Sequence, residues 1–553
     1  MIKFTKIFFT LILVIFLGYL TINLIFTNIH GDAYTHTLII KQIVEESKLI
    51  DHIPYFIMDI WNGNIIFFPV PYSLFYHLSL VPFYMLGNEL FLKLSSLLFM
   101  GLIFIFVIKL FPKNYYLGAI SCILIFIFNI RRFFMAPLME EMLLFFMIVS
   151  IYYLSKFIDK GKIKHLVLCS IFTGLVLSLK LQGLIFLLGA ILILIIYFIK
   201  EKYFLLNYKK KFIKYNALFL LVVLVVSFTP LVEQYRRNGS FLANAPGEVV
   251  EITQKLPDTP FFISIKNLFT TKYPLNESSI EELSKIIGYK LKGVTLYTTF
   301  KQFALYPIFF EKSFFVEDQF FWLVLFSILF LFGISYIYKK NSNLAFILVI
   351  FWILEFFAAY SFRLYIHQYL LLGLSIFAIF VAAGLFGIAS WFRYFQFNKI
   401  IILLLIFLLT VTIIPNYFKI YHQKYWLNEG RFTKQQSYAY RNIGECVEKF
   451  VPKNAIFLTS GIMRDNYKRN SFWINPGGGS KIPLIFQTKD PQEALSLLKD
   501  YNVDYILIDQ LQTRRKGLFD FIPKEGLVSY IDNNDHFLPT CSSGNLYLYK
   551  IIY

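Results

Sequence analysis

An acidic residue and a histidine stand one helical turn apart just after the first apolar run of the chain. Asp32 and His36 lie in the stretch HGDAYTHTL, and residues spaced i, i+4 share one face of a helix. A carboxylate there can accept a proton from a hydroxyl group at the membrane surface. Asp is also favoured where a helix begins, because its carboxylate accepts backbone N–H groups. The sequence leaves both roles open for Asp32.

Other charged and polar residues interrupt the apolar runs where the membrane spans are expected to reach the same face of the membrane as Asp32. They are Arg131, Arg132, Glu140, Glu141, Lys180, Gln182, Arg363, His367 and Gln368. Cations at such a place can stabilise a leaving phosphate, and carboxylates can move protons. Each group also has a structural explanation. A lysine or arginine can reach lipid headgroups, and a carboxylate at a helix N-terminus is favoured by the helix dipole.

The composition is that of a membrane protein with several spans. Of the 553 residues, 57% are hydrophobic and only 16% are charged, which exceeds what a soluble domain of this length needs for its core. The net charge of +19 comes from short Lys/Arg clusters between apolar runs, as the positive-inside rule describes. The charge therefore indicates a membrane partner and no nucleic acid.

Hydropathy and loop charge together predict about eleven spans. The run 7–27 reads as a retained anchor, 32–48 as a surface helix, and 72–86 as a short interfacial or re-entrant helix. The remaining spans are 90–111, 114–130, 138–157, 165–180, 183–199, 213–232, 319–338, 343–361, 366–391 and 399–416. With this count five basic loops face the cytoplasm, while the first loop (30–89), a long loop (233–318) and the C-terminus face outward.

The composition changes after the last span, which predicts two domains, 1–416 and 417–553. In the second domain, SYAYRNIGECVEKFV and DPQEALSLLKDY read as helices, and AIFLTS and VDYILID read as strands. These segments predict a small extracytoplasmic α/β domain. Cys446 and Cys541 lie within it and are compatible either with a disulfide or with free thiols.

Several short motifs together resemble the GT-C fold glycosyltransferases, which include protein O-mannosyltransferases and bacterial aminoarabinose transferases. The motifs are the first-loop acid, PVPYSLFYHL, NIRRFFMAPLMEE, GLVLSLKLQG and FRLYIHQYLL. They are spread over nearly the whole chain. The resemblance implies transfer of a sugar from a polyprenyl-phosphate carrier to an acceptor hydroxyl on a lipid, glycan or protein at the outer face of the cell membrane, with inversion.

The resemblance also implies roles for individual residues. Asp32 corresponds to the catalytic acid of the first loop, and Glu140 or Glu141 to the acid of the second loop. The donor phosphate would be bound by Lys180, Arg363, His367, Arg131 and Arg132, with His36, Gln182 and Tyr369 in support.

Two departures from the family pattern limit what the resemblance implies. The Asp-Glu pair of the mannosyltransferases is Gly31-Asp32 here, and the C-terminal domain has no WWDYG-like motif. They speak against protein N-glycosylation and leave the donor sugar open. The sequence establishes no cofactor, and a divalent metal held by Asp32, Glu140 and His36 stays open.

Two other classes of protein would also fit parts of the sequence. A transporter or flippase for lipid-linked sugars needs an outward cavity lined with cations. An assembly protein would explain the C-terminal domain, but it would not explain why Lys180 and Asp32 are predicted at one mouth. The glycosyltransferase interpretation accounts for more of the polar residues than either alternative.

Overall fold

The structure is a computed structural model, and it describes residues 14, 18, 32–47, 52–59, 65–69, 73–133, 139–180, 182–200, 206–238, 300–301, 303–304, 320–361, 370–391, 434–459, 469–472, 481–509, 526–544 and 546–553. These residues fall into two compact units. The first is helical, and the second contains a mixed β-sheet.

The helices of the first unit follow the apolar runs of the sequence. They are α1 (Asp32–Glu46), α2 (Leu74–Leu110), α3 (Tyr115–Phe133), α4 (Met139–Lys160), α5 (Ile163–Leu179), α6 (Gln182–Lys200), α7 (Leu206–Asn238), α8 (Phe320–Lys340), α9 (Ser342–Ser361) and α10 (Leu371–Trp391). Among the described residues seven helices are long and apolar enough to cross a membrane, and α3 and α5 contain shorter apolar stretches.

The predicted fold class, a helical membrane protein with a small C-terminal α/β part, is confirmed. The predicted first span, 7–27, is described only at Val14 and Gly18, both helical, and the predicted last span, 399–416, lies outside the described residues. The count of about eleven spans therefore stays a prediction. The charged ends of α4 and α8, with Lys160 and with Lys339 and Lys340, lie where the positive-inside rule predicts cytoplasmic loops.

Helix α2 is broken near its middle. Gly87 and Asn88 have non-helical backbone angles, and Asn88 has a φ of 55°, a positive value that is uncommon for residues other than glycine. The break separates Leu74–Leu86 from the long apolar segment that follows. This is where the sequence predicted the end of a short juxtamembrane helix and the beginning of a span.

The second unit is built on a seven-stranded sheet with the order β2-β1-β4-β3-β5-β7-β6. Its strands are β1 (His52–Asp59), β2 (Ile65–Pro69), β3 (Phe457–Thr459), β4 (Ser471–Phe472), β5 (Tyr505–Asp509), β6 (Phe537–Ser543) and β7 (Leu546–Ile551). Strand β1 pairs parallel with β4, and an antiparallel hairpin closes each edge. The sheet thus includes two strands from the loop 30–89, beyond the residues 417–553 that we assigned to this domain.

Apolar side chains of the central strands pack on both faces of the sheet. In β5, Ile506 and Ile508 belong to a core with α12 (Ile482–Gln487) and α13 (Pro491–Asp500). Leu507 belongs to the opposite core with α11 (Lys434–Phe450). Burial on both faces explains why β5 reads as a continuous apolar run. The predicted strands and helices of this domain are confirmed.

A disulfide joins Cys446 of α11 to Cys541 of β6, with Cα atoms 6.7 Å apart. Such bonds persist in oxidising compartments outside the cytoplasm. The sequence was compatible with either a disulfide or two free thiols, and the structure has the disulfide.

We expect the double variant Cys446→Ser/Cys541→Ser to lose about 2–5 kcal/mol of stability in the sheet unit, because the bond closes a long loop of the unfolded chain. Limited proteolysis of the full-length protein measures this as faster cleavage after residue 434. Reductant should speed cleavage of the parent protein and leave the variant unchanged. Equal cleavage of parent and variant without reductant would contradict the prediction.

Candidate active site

The site lies where α1, α2 and α4 meet the turn between α5 and α6. The side chain of His36 in α1 is buried, and its Nδ1 atom lies 3.0 Å from Nε2 of His77 in α2. Tyr76 packs edge-on against His36, with the ring centroids 4.9 Å apart. These contacts fix the position of α1 one turn after Asp32.

Burial lowers the pKa of His36 to about 4, with the nearby Glu140 opposing this shift and Lys180 adding to it. His36 is therefore neutral at pH 7. In the pair with His77 one ring donates an N–H and the other accepts it. Protonation of His36 would oppose folding as the pH falls from 6.5, its unperturbed pKa, toward 4. A neutral, hydrogen-bonded imidazole positions neighbouring groups and does not supply a positive charge.

Two adjacent carboxylates open α4. Glu140 is 5% exposed and Glu141 is completely buried, and both lie in the first turn of the helix, where the dipole favours negative charge. Tyr76 interacts electrostatically with both of them. The N-terminal end of α4 thus brings two buried acids close to the aromatic side chains of α2.

Lys180 forms an ion pair with one of these acids. Its Nζ atom lies 3.0 Å from Oε1 of Glu140, and the two side chains are 9% and 7% exposed. Removing one partner of such a shielded pair is costly, because the other charge remains in a poorly solvated place. The pair therefore holds the ammonium group of Lys180 beside the Glu140 carboxylate and close to His36.

The turn between α5 and α6 places Lys180. Lys180 ends α5 with extended backbone angles, and its carbonyl oxygen accepts the N–H of Gly183 at 2.8 Å. A Cβ atom on Gly183 would lie 2.4 Å from Cα of Leu177, a separation that side-chain atoms do not adopt. The sequence KLQG therefore makes a turn that needs glycine. Gln182 begins α6 and is buried beside this turn.

The remaining predicted site residues are described in part or not at all. Asp32 is the first residue of α1, and Arg131 and Arg132 lie in the last turn of α3, but the side chains of all three lie outside what the structure describes. The turn with Arg363, His367, Gln368 and Tyr369, between α9 and α10, is wholly outside the described residues.

Two residues of this site were not among the predicted functional residues. His77 and Tyr76 lie in the run SLFYHLSL, within the predicted interfacial or re-entrant helix 72–86. A histidine in an apolar segment is costly unless it has a partner, and that cost was the available signal. His77 is completely buried, and its partner is His36.

The described residues do not form a metal centre. No three His, Cys, Asp or Glu side chains among them are arranged to hold a metal ion. Oε1 of Glu140 is engaged by Lys180, and Nδ1 of His36 by His77. The contacts of Glu140 and His36 therefore do not support a metal ion bound by Asp32, Glu140 and His36.

Solved structures of two membrane enzymes resemble the whole chain. The archaeal oligosaccharyltransferase AglB from Archaeoglobus fulgidus, in complex with an inhibitory peptide and a dolichol-phosphate, superposes with a TM-score of 0.56 at 14% identity over 98% of this chain and 74% of its own. ArnT from Cupriavidus metallidurans, bound to undecaprenyl phosphate, superposes with a TM-score of 0.55 at 12% identity over 98% of both chains. This chain has the GT-C fold.

The GT-C fold that the sequence motifs indicated is thus confirmed, and with it an integral membrane protein. No protein-family model matches the sequence, and no curated protein sequence matches it. The likeness lies in the arrangement of helices and sheet, since identity to the similar structures is 12–15%. It therefore establishes the fold and leaves the roles of the residues to the geometry above.

Proposed function

We propose that this protein transfers a sugar from a polyprenyl-phosphate carrier to a hydroxyl group of an acceptor at the outer face of the cell membrane. The observation that carries the proposal is the likeness over 98% of both chains to ArnT bound to undecaprenyl phosphate. The shielded ammonium group of Lys180, held in place by Glu140, supports it, because a cation of this kind suits the phosphate of a lipid ligand.

The reaction is a direct displacement at the anomeric carbon of the sugar. The acceptor oxygen forms the new bond to that carbon while the bond from the carbon to the phosphate oxygen breaks. The hydroxyl proton passes to the Asp32 carboxylate, and the polyprenyl phosphate leaves with the electron pair. Attack from the side opposite the leaving phosphate inverts the anomeric centre.

In this proposal Asp32 is the general base and cations stabilise the phosphate. Asp32 lies one turn before His36, whose ring is packed on α2 and lies close to Lys180 and Glu140. The fixed position of α1 supports a base beside the carrier phosphate. Lys180 and Arg363 bind that phosphate together with Arg131, Arg132 and His367, with Tyr369 in support.

Glu140 has a positioning role in the proposal. Its carboxylate is the ionic partner of Lys180, so it holds the ammonium group in place. Glu141 places a second carboxyl group one residue away, and Gln182 supports the turn that carries Lys180.

The location that we propose is the cell membrane, with the sheet unit outside. The basic loops predicted on the cytoplasmic side support this orientation, and so does the disulfide between Cys446 and Cys541. The acceptor is a lipid, glycan or protein hydroxyl that reaches the membrane surface.

Proteoliposomes that contain the purified protein and a polyprenyl-phosphate-linked sugar test the function. Transfer predicts that free polyprenyl phosphate accumulates in proportion to glycosylated acceptor. A flippase would move the intact donor between leaflets without breaking it. Intact donor throughout, with a panel of sugars and acceptors, would contradict the proposed reaction.

A further inference from the structure

A second cluster of cations lies at the other end of the helices that carry the candidate active site. It lines a cavity of about 730 Å³ between the end of α2, the end of α4 and the connection from α8 to α9. Lys156 on this cavity is sixteen residues after Glu140 in α4, which corresponds to about 24 Å along the helix. The cavity is thus separate from the site around Lys180.

The lining is strongly basic. Its lysines are Lys109, Lys113, Lys156, Lys339 and Lys340. The cavity wall also contains the acidic residue Asp159. Its carboxylate accepts a hydrogen bond from the side-chain amide of Asn343 at 3.1 Å. The cavity therefore carries a clear excess of positive charge.

Two helices also begin at this cavity. Asn114 caps α3, with its side-chain oxygen 3.2 Å from the backbone nitrogen of Leu117. Asn341 caps α9 in the same way, 3.0 Å from the nitrogen of Leu344. The N-terminal ends of helices carry partial positive charge. The ends of α2, α4 and α8 lie at the same cavity and carry the opposite partial charge, so the excess of positive charge comes from the lysines.

Polar and apolar groups both line the same cavity. The Tyr336 hydroxyl accepts a hydrogen bond from the Asn114 amide at 3.4 Å, while Leu117 and Ile337 line the wall nearby. The volume is typical of sites for ligands larger than a free phosphate ion. A phosphodiester headgroup with the beginning of its acyl chains matches both kinds of lining.

We propose that this cavity is a binding site for a phosphate-bearing anion, and that the headgroup of an anionic phospholipid occupies it. The site is independent of the sugar-transfer reaction. It would hold the lipid at the membrane face opposite the Lys180–Glu140 pair, which the basic loops identify as cytoplasmic.

The test counts lipids bound to the purified full-length protein by native mass spectrometry, with phosphatidylglycerol and phosphatidylcholine as probes. We expect one tightly bound phosphatidylglycerol, weakened about 10-fold or more in Lys113→Gln/Lys340→Gln, because each charge-assisted bond to phosphate contributes about 1.5–3 kcal/mol. A second pair, Lys109→Gln/Lys339→Gln, should have the same effect. The matched control is Lys162→Gln/Lys164→Gln, exposed lysines at the beginning of α5 that do not line the cavity.

Competition with inorganic phosphate separates the two sources of the anion. Displacement of the lipid by phosphate alone would support the anion site with a soluble ligand, and its failure to compete would support the lipid headgroup. Equal losses in the cavity variants and the control pair would overturn the proposal, because general surface charge would then explain the binding. Equal binding of phosphatidylglycerol and phosphatidylcholine would overturn it as well.

Discussion

Asp32→Asn is expected to lower sugar transfer by about 10²–10⁴-fold, the loss typical of a missing general base. The helix itself should survive, because Asn favours a helix beginning about as well as Asp does. Donor binding should therefore stay near that of the parent protein. Transfer rates with saturating donor, measured beside donor affinity, separate the two effects.

Two companion variants make the result for Asp32 decisive. Asp32→Ala should be as inactive as the Asn variant and also less stable by about 0.5–2 kcal/mol if the side chain caps α1. Glu46→Gln removes an exposed carboxylate from the other end of the same helix and should transfer sugar at the parental rate. Parental activity in Asp32→Asn would show that the carboxylate only begins a helix.

The second large effect is expected for Lys180. Lys180→Met should weaken donor binding by about 10- to 100-fold, since a charge-assisted hydrogen bond to phosphate contributes about 1.5–3 kcal/mol. The variant should also lose stability, because Glu140 would keep a shielded carboxylate without its ion-pair partner. Donor affinity and thermal unfolding of the same preparations measure both losses.

The double variant Lys180→Met/Glu140→Gln separates phosphate binding from structural support. Removal of both charges takes away the cost of a single buried charge, so thermal stability should return toward that of the parent. Donor affinity should stay low if Lys180 binds the carrier phosphate. Recovery of donor affinity together with stability would mean that Lys180 only neutralises the buried Glu140 carboxylate and does not bind the phosphate.

The helices could be predicted well because their signal is local. Apolar runs of about twenty residues predict spans directly, and α4, α6, α8 and α9 begin and end close to the predicted residues. The break at Gly87 and Asn88 lies between the predicted helix 72–86 and the predicted span that begins at residue 90. Each of these features depends on neighbours in the sequence.

The sheet could be predicted only in part, because strand pairing depends on residues far apart in the chain. Phe56 and Ile57 of β1 pair with Ser471 and Phe472 of β4, about four hundred residues later. The runs of β3 and β5 are apolar enough to be recognised alone. No local pattern indicates that the loop after α1 adds a hairpin to the edge of that sheet.

The candidate site shows the same limit. The types and positions of Lys180, Glu140 and His36 suggested chemistry at one mouth, and the structure brings these three residues together. Their partners could not be predicted, because the contacts of Lys180 with Glu140 and of His36 with His77 each join residues about forty positions apart. The roles of Arg363 and His367 stay a prediction, because residues 362–369 lie outside the described part of the chain.

The most direct test of the proposed mechanism is the anomeric configuration of the product. A polyprenyl-phosphate-linked sugar of known configuration is incubated with the reconstituted protein and an acceptor, and the product is examined by NMR. Direct displacement by the acceptor hydroxyl, with Asp32 as base, predicts a product of inverted configuration and one free polyprenyl phosphate for each sugar transferred. A product that retains the configuration of the donor would contradict the mechanism.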